Sequence, residues 1–193
     1  MADFEEEKNT VFVPQKIFMQ RAIELAKKGG GKVHPNPLVG AVIEKDGKII
    51  AEGFHHEYGN LHAERDALKN AVEKNAEVRA ANLYVTLEPC CHTGKQPPCT
   101  QAIIEAGIKN VIIGSRDPNS LVNGKGVVLL ENAGVKVFRD FMKAECDSLN
   151  EIFFHYITTK LPFVIVKYAQ SADGKTSLSS GESKWITNES SRE

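Results

Sequence analysis

Four side chains between positions 62 and 99 could together bind a metal ion and move protons. His62 and Glu64 stand two residues apart in a His-Ala-Glu segment, and Cys90 and Cys99 follow with eight residues between them. Zinc binds imidazole nitrogen and thiolate sulfur in a tetrahedral arrangement, and a catalytic site uses three protein ligands so that the fourth position stays open for water. We predict that His62, Cys90 and Cys99 bind Zn²⁺. Glu64 is the predicted catalytic carboxylate.

The spacing of these residues matches the signature of zinc deaminases, in which His-x-Glu is followed by Pro-Cys and a second Cys. Bound zinc lowers the pKa of water from about 15.7 to about 7, and a nearby carboxylate can pass the proton to a ring nitrogen and a departing amine. Cys99 is further from Cys90 in the sequence than the second cysteine is from the first in the short form of the signature. The longer loop contains His92, Gly94, Lys95 and two prolines, and its donors and cation suit a substrate that carries phosphate.

The side chains of His62 and Glu64 can reach one target only under a geometric condition. Positions i and i+2 of a regular helix point about 200° apart. The target must therefore lie off the first turn, which predicts a site at the N-terminus of a helix that begins at Ala63. The positive end of a helix also favours thiolate at a nearby cysteine.

Other interpretations of these residues stay open. The zinc site could be structural and closed by His92 or Cys91, and Glu64 could be a first-turn carboxylate that the helix dipole favours. Lys95 could be a solvated loop cation. The four cysteines could in principle form disulfides, but metal chemistry is the better interpretation in a reducing compartment.

The elements that must position these residues follow from hydrophobic periodicity and turn signals. Asp46-Gly47 between two apolar runs predicts an antiparallel hairpin. Alternating strands and helices over 82–138 predict parallel strands, and ligands collect at the carboxyl ends of such strands. The predicted helices cover 15–28, 63–74, 100–106, 126–132 and 141–158, and the predicted strands cover 39–43, 48–54, 82–87, 111–114, 135–138 and 163–168.

These elements predict an α/β fold: a three-layer α/β/α, cytidine-deaminase-like domain with a mixed sheet of about five strands. We expect the zinc-dependent domain to cover residues 14–145 and a connecting helix to cover 146–160. Residues 161–193 are predicted to begin a second domain, because some thirty residues cannot close a hydrophobic core alone.

Composition limits the classes of partner. The chain has 24 basic and 25 acidic residues, which gives no electrostatic footprint for nucleic acid. No apolar run approaches ~18 residues, so no transmembrane helix is expected. The acidic N-terminus has neither the cationic start nor the apolar run of a secretory signal, and we expect a cytoplasmic protein.

The chain resembles the bifunctional riboflavin-biosynthesis family of pyrimidine deaminase–reductases over nearly its whole length. The loop that ends in Pro97-Pro98-Cys99 is its most specific feature. Cys91, where serine is expected, and Ser120, where proline is usual, depart from the family pattern without removing a ligand. The other matching segments are 34–43, His62-Ala-Glu64, 84–90, 117–119, 124–126, 167–173 and 181–187.

The resemblance implies hydrolytic deamination of 2,5-diamino-6-ribosylamino-4(3H)-pyrimidinone 5′-phosphate, a small phosphorylated ribosylaminopyrimidine, with zinc as cofactor. It implies that Asn36 holds the base and that His55 and Lys95 approach the substrate. In the reductase half, positions matching Ala169 and Trp185 touch NADPH and Ser183 touches substrate. Family analogy also predicts a homo-oligomer.

Alternatives remain for the function and for the implied contacts. The chain could deaminate adenosine or cytidine within nucleic acid, or could be a zinc-stabilised binding module without turnover. Asn36 between two prolines could only turn the chain, and one of His55 and His56 could be a surface residue. Trp185 could be an ordinary anchor for the segment around it.

Overall fold

The computed structural model describes residues 12–94, 96–119, 122–183 and 188–191. Contacts divide the chain into two units, the first ending at Leu161 and the second beginning at Pro162. The helices and strands of the first unit are α1 Lys16–Lys27, β1 Gly40–Lys45, β2 Lys48–Phe54, α2 Ala63–Glu73, β3 Asn82–Leu87, α3 Cys99–Glu105, β4 Asn110–Ser115, α4 Lys125–Asn132, β5 Lys136–Phe138, α5 Lys143–Ser148 and α6 Glu151–Thr159.

The five strands form one mixed sheet in the order β2-β1-β3-β4-β5. β1 pairs antiparallel with β2 and with β3, whereas β3, β4 and β5 are parallel. Asp46 and Gly47 connect β1 to β2 with φ values of 54° and 77°, which is the left-handed backbone that a tight hairpin turn requires. The structure confirms the predicted hairpin and the predicted parallel half of the sheet.

Helices cover both faces of the sheet, which confirms the three-layer architecture. Alternate strand residues point to opposite faces, so odd and even positions belong to different clusters. Odd positions pack against α2, α3 and α4 in one cluster that includes Ala41, Ile43, Leu83, Val85, Val111, Ile113, Ala67, Ile103 and Leu130. Even positions pack against α1 and α5 in a second cluster that includes Val42, Tyr84, Ile112, Phe18, Met19 and Cys146.

Helix α2 lies close to β2 because the strand has a glycine at the point of contact. A Cβ atom at position 53 would lie 2.2 Å from the backbone nitrogen of Ala67 and 2.5 Å from the carbonyl oxygen of Ala63. Backbone atoms cannot yield as a flexible side chain can. Gly53 therefore lets the first turns of α2 lie directly on the sheet.

The predicted single helix over 141–158 is wrong, and so is a connecting helix that begins at 146. The structure has two helices, α5 and α6, and Asn150 lies between them with φ of −128°. The Asn150 side chain accepts a hydrogen bond from the Leu38 amide at 2.7 Å and donates one to the Leu38 carbonyl at 2.8 Å. These two bonds occupy both polar backbone groups of Leu38 and hold the helix break against the segment that precedes β1.

We predict that Asn150→Ala lowers the free energy of unfolding by about 2 kcal/mol. Asn150 is buried, and each of the two lost hydrogen bonds contributes about 1 kcal/mol. Urea denaturation of the whole chain measures the change. Asn60→Ala is the control, because Asn60 is exposed and its one side-chain bond, to Glu57, is 3.4 Å long; we expect it to change the unfolding free energy by less than about 0.5 kcal/mol.

The second unit does not contain the predicted strand over 163–168. Those residues have no regular secondary structure, and Val164, Ile165 and Val166 are more than two-thirds exposed. A strand needs a neighbour for its backbone hydrogen bonds, and the described part of this unit offers none. The one regular element there is a short 3₁₀ helix at Glu189–Ser191.

In the described parts of the chain, no helix is both long enough and apolar enough to span a lipid bilayer.

Candidate active site

The imidazole and the two thiols that the sequence predicted to bind metal come together in the structure. The sulfur atoms of Cys90 and Cys99 each lie 3.5 Å from Nδ1 of His62. The three donor atoms all lie within 4.8 Å of one another. One nitrogen and two sulfurs therefore surround a common point at a spacing that a single ion can bridge.

Each donor stands at the end of a regular element. His62 has an extended backbone, with φ of −71° and ψ of 159°, and α2 begins at the next residue. Cys90 follows the carboxyl end of β3, and Cys99 is the first residue of α3. The predicted position at the start of a helix is confirmed. The extended backbone of His62 removes the 200° separation that a regular helix would impose between its side chain and Glu64.

Hydrogen bonds within the cluster favour a thiolate at Cys90. The side chains of Cys99 and His62 and the backbone N–H of Cys99, which donates to the Cys90 sulfur at 3.3 Å, lower the pKa of Cys90. The bond to Cys90 in turn raises the pKa of His62. Cys99 is buried, and its bond to the ionised neighbour raises the pKa of its thiol. The first negative charge of the pair is thus favoured at Cys90, and a cation would favour a second at Cys99.

Glu64 is buried in the first turn of α2, beside the same cluster. Burial, and after it the charge of the Cys90 thiolate, raises the pKa of Glu64 from 4.5 to about 6. A carboxyl group with a pKa near neutrality can take up and release a proton at working pH. This side chain therefore has the protonation behaviour that an acid–base group needs.

A cavity of about 320 Å³ opens beside the cluster, and His62, Glu64 and Cys90 lie on its wall. Its volume falls in the range of about 300–1,000 Å³ that is usual for small-molecule sites. Apolar and polar side chains share the wall, as in such sites. The other lining residues include Val39, Leu87, Val122, Phe153, Asn36, His55, His92, Gln96, Asp117 and Asn119.

Asn36 and His55 both lie on the cavity wall, and they contact each other. The His55 Nδ1–H donates to the Leu61 carbonyl at 2.9 Å, so Nε2 is the acceptor of the bond at 3.1 Å from the Asn36 amide. Burial lowers the pKa of His55, which favours the neutral ring that this network requires. Both side chains are thus held in fixed orientations. Their contact with a substrate stays a prediction.

The residues proposed to close a structural zinc site are not part of the cluster. Within the described chain, no other His, Cys, Asp or Glu joins the three donors. His92 is exposed on the cavity wall, and burial raises the pKa of Cys91, which disfavours a thiolate there. The arrangement therefore matches the three-ligand pattern of a catalytic site better than the four-ligand pattern of a structural one.

Sequence reasoning did not single out two buried carboxylates on the cavity wall. Glu88 accepts a hydrogen bond from the Gly124 amide at 3.1 Å, and Asp117 accepts one from the Asn119 amide at 2.8 Å. Burial raises the pKa of Asp117 from 3.8 to about 6. A usable signal was present, because these residues follow the carboxyl ends of the adjacent parallel strands β3 and β4.

We predict that Asp117→Asn stabilises the fold at neutral pH. The native carboxyl ionises near pH 6 and the unfolded one near 3.8. The advantage of the native state is therefore present at low pH and is lost as the pH rises through 6. The carboxamide escapes this cost, so we expect the substitution to add up to about 3 kcal/mol at pH 7.5 and little at pH 3.5. Denaturation at both pH values measures it; equal effects at the two would contradict the prediction.

Four of the predicted contact residues are not tested by the structure. Lys95 and Trp185 are outside the described residues. Ala169 and Ser183 belong to the second unit, where both are exposed. Their expected contacts with cofactor and substrate stay predictions.

Two family profiles match the chain. The cytidine and deoxycytidylate deaminase zinc-binding region matches residues 14–115, which is more than half of the chain. The RibD C-terminal domain matches residues 162–193. The first match contains all three donors of the cluster and Glu64.

Relatives in sequence and in structure agree with these matches. The riboflavin biosynthesis protein RibD of Actinobacillus pleuropneumoniae is 57% identical over 91% of this chain and 46% of its own length. A diaminohydroxyphosphoribosylaminopyrimidine deaminase/5-amino-6-(5-phosphoribosylamino)uracil reductase from Thermotoga maritima superposes with a TM-score of 0.86 at 55% identity, over 90% of this chain and 49% of the other. RibD of Acinetobacter baumannii gives 0.85 at 47% identity, over 92% and 49%.

The chain spans about half the length of these relatives. Both family matches, at residues 14–115 and 162–193, lie within this half. The chain belongs to the family of the cytidine and deoxycytidylate deaminase zinc-binding region.

Proposed function

We propose that this chain removes an amino group by hydrolysis from 2,5-diamino-6-ribosylamino-4(3H)-pyrimidinone 5′-phosphate, in a zinc-dependent step of riboflavin biosynthesis. One observation carries the proposal: His62, Cys90 and Cys99 converge on one point beside the buried carboxyl of Glu64. The similarity to RibD proteins supports the substrate.

The donor set fits zinc. One imidazole nitrogen and two sulfurs are ligands that zinc accepts, and three protein ligands are the number that a catalytic zinc site uses. Their mutual distances, all within 4.8 Å, suit a tetrahedral ion at about 2.0–2.3 Å from each donor. We therefore assign the metal position to His62, Cys90 and Cys99.

In the proposed mechanism the cofactor contributes a single function: when bound, zinc activates a water molecule near neutral pH. Glu64 accepts the proton of that water and delivers it to the ring nitrogen. The water oxygen bonds to the amino-bearing ring carbon, and Glu64 then moves the remaining proton of that oxygen to the amino group. The carbon–nitrogen bond breaks, and ammonia leaves while the ring carbon keeps the oxygen as a carbonyl. The buried carboxyl in the first turn of α2, beside the three donors, is placed for both transfers.

The cavity wall supplies the proposed binding contacts. Asn36 and His55 are held at fixed orientations by their mutual bond and by the Leu61 carbonyl, so they can meet a planar base without reordering. We assign Lys95 to the 5′-phosphate, since a lysine binds phosphate as a point charge. The proposed partner is a small molecule and not a nucleic acid, consistent with the near balance of 24 basic and 25 acidic residues.

Residues from 161 onward are proposed to begin a reductase domain that uses NADPH. The match of residues 162–193 to the RibD C-terminal domain supports this assignment. Ala169 and Trp185 are the proposed cofactor contacts, and Ser183 the proposed substrate contact. We further propose that residues 14–145 belong to the deaminase domain, in a homo-oligomer located in the cytoplasm.

The test is ammonia release from the pyrimidine phosphate by the zinc-loaded chain. We expect turnover that stops when a chelator removes zinc and returns when zinc is added. Cytidine and a tRNA stem-loop serve as alternative substrates, and release from either of these but not from the pyrimidine phosphate would contradict the substrate assignment. A chain that binds zinc and turns over none of the three would be a binding module.

A further inference from the structure

Arg65, which follows Glu64, connects the start of α2 to the segment directly before Cys99. Arg65 lies in the first turn of α2, the helix that follows His62 and contains Glu64. Its Nε–H donates to the Pro97 carbonyl at 3.1 Å, and its Nη2–H donates to the Pro98 carbonyl at 3.0 Å. The guanidinium therefore binds two consecutive carbonyls of the segment directly before Cys99.

The chemistry of this segment explains why an external donor is needed. Proline has no backbone N–H, so Pro97 and Pro98 offer carbonyl acceptors and no backbone donor. Two neighbouring acceptors suit a guanidinium, whose donors are fixed in one plane, better than an ammonium, which is a compact point charge. The two N–H donors of the Arg65 guanidinium thus match the two carbonyl acceptors of the Pro97-Pro98 segment.

Cys99 depends on this segment for its position. Pro98 is the residue before α3, and Cys99 is the first residue of that helix. The Cys99 amide in turn donates to the Cys90 sulfur at 3.3 Å. A displacement of the two-proline segment relative to α2 would therefore move one thiol directly and loosen the second.

A second tie holds the same loop further from the metal donors. The Gln96 side chain donates to the Gly59 carbonyl at 3.1 Å. Gly59 lies three residues before His62, so this bond joins the loop to the chain just ahead of α2. Arg65 instead follows His62 in the chain, and its bonds hold the residues next to Cys99.

We propose that Arg65 is a positioning residue, which fixes the Pro97-Pro98 segment against the first turn of α2 and thereby keeps Cys99 within reach of the metal. The proposal rests on the assignment of zinc to this cluster. Arg65 itself contacts neither metal nor substrate in this role. Its effect is on the rate at which the loop opens and the ion escapes.

The test is the rate of zinc release from the zinc-loaded chain to an excess of chelator. Residues that orient metal ligands typically affect metal affinity by 10–100-fold, so we expect Arg65→Ala to release zinc about tenfold faster. Arg65→Lys keeps the charge but loses the fork, and we expect a rate close to that of Arg65→Ala. A purely electrostatic role would instead leave Arg65→Lys like wild type and would overturn the proposal.

Asn70→Ala is the matched control. Asn70 lies on the same helix and ties it to β2 through one bond to the Glu52 carbonyl at 2.8 Å, without contact to the cysteine loop. We expect Asn70→Ala to lose stability in denaturation but to release zinc at the wild-type rate. A wild-type rate in folded Arg65→Ala, or equal acceleration by Asn70→Ala, would overturn the proposal. A wild-type chain that retains no zinc would reject the zinc assignment itself, before any variant is compared.

Discussion

Glu64→Gln is expected to reduce ammonia release from the pyrimidine phosphate by a factor of about 10²–10⁴ while zinc content stays unchanged. The carboxamide has nearly the same size as the carboxyl and fits the same buried position in the first turn of α2. It cannot take up or release a proton at working pH, and general acid–base catalysis contributes a factor of this size. Ammonia release under saturating substrate and the zinc content of the purified variant are the two measurements.

The control for this substitution is Glu57→Gln. Glu57 is exposed and lies a few residues before the donor histidine. We expect it to retain wild-type turnover. A rate in Glu64→Gln within a few-fold of wild type would show that another group moves the protons, and the mechanism proposed for this carboxyl would be wrong.

The parts of the fold that were predicted correctly depend on signals that act over a few residues. Asp46-Gly47 specified a hairpin because both positions adopt positive φ. The parallel half of the sheet followed from alternating strands and helices, since a helix between two strands is the usual crossover that joins parallel neighbours. The start of α2 at Ala63 was predicted from hydrophobic periodicity and from the positions of His62 and Glu64.

The parts that were not predicted depend on contacts between distant residues. The periodicity over 141–158 is helical throughout, yet the helix is broken at Asn150 because its side chain binds Leu38, which is 112 residues away. Likewise, residues 163–168 have the composition of a strand but have no neighbouring strand in the described part of their unit. Composition can indicate a preference for a strand, but pairing requires a partner.

The same division applies to the site. Residue types and spacing predicted that His62, Cys90 and Cys99 come together, since few combinations of histidine and cysteine suit an open zinc site, and the structure confirms that they do. The bond between Asn36 and His55, the fork of Arg65 and the raised pKa of Asp117 were not predicted. Each arises from burial or from a contact that only the folded chain brings about.

Cys99→Ser is expected to abolish tight zinc binding and, with it, ammonia release. Zinc sites in small proteins bind with about 10–16 kcal/mol; if three donors share that free energy, the loss of one costs about 4 kcal/mol, or a factor of about 10³ in affinity. Serine preserves the size of the buried side chain but replaces the thiolate with a hydroxyl. Zinc stoichiometry after gel filtration, and affinity from competition with a chelator, measure the change.

Cys91→Ser separates the metal site from general thiol chemistry. Cys91 is adjacent to a proposed ligand in sequence, but its thiol does not belong to the group of donors within 4.8 Å of one another. We expect this variant to bind one zinc ion with nearly wild-type affinity and to keep its activity. Loss of zinc from Cys91→Ser as severe as from Cys99→Ser would mean that four protein ligands surround the ion. The fourth position would then be closed to water, and hydrolysis at this centre would be ruled out.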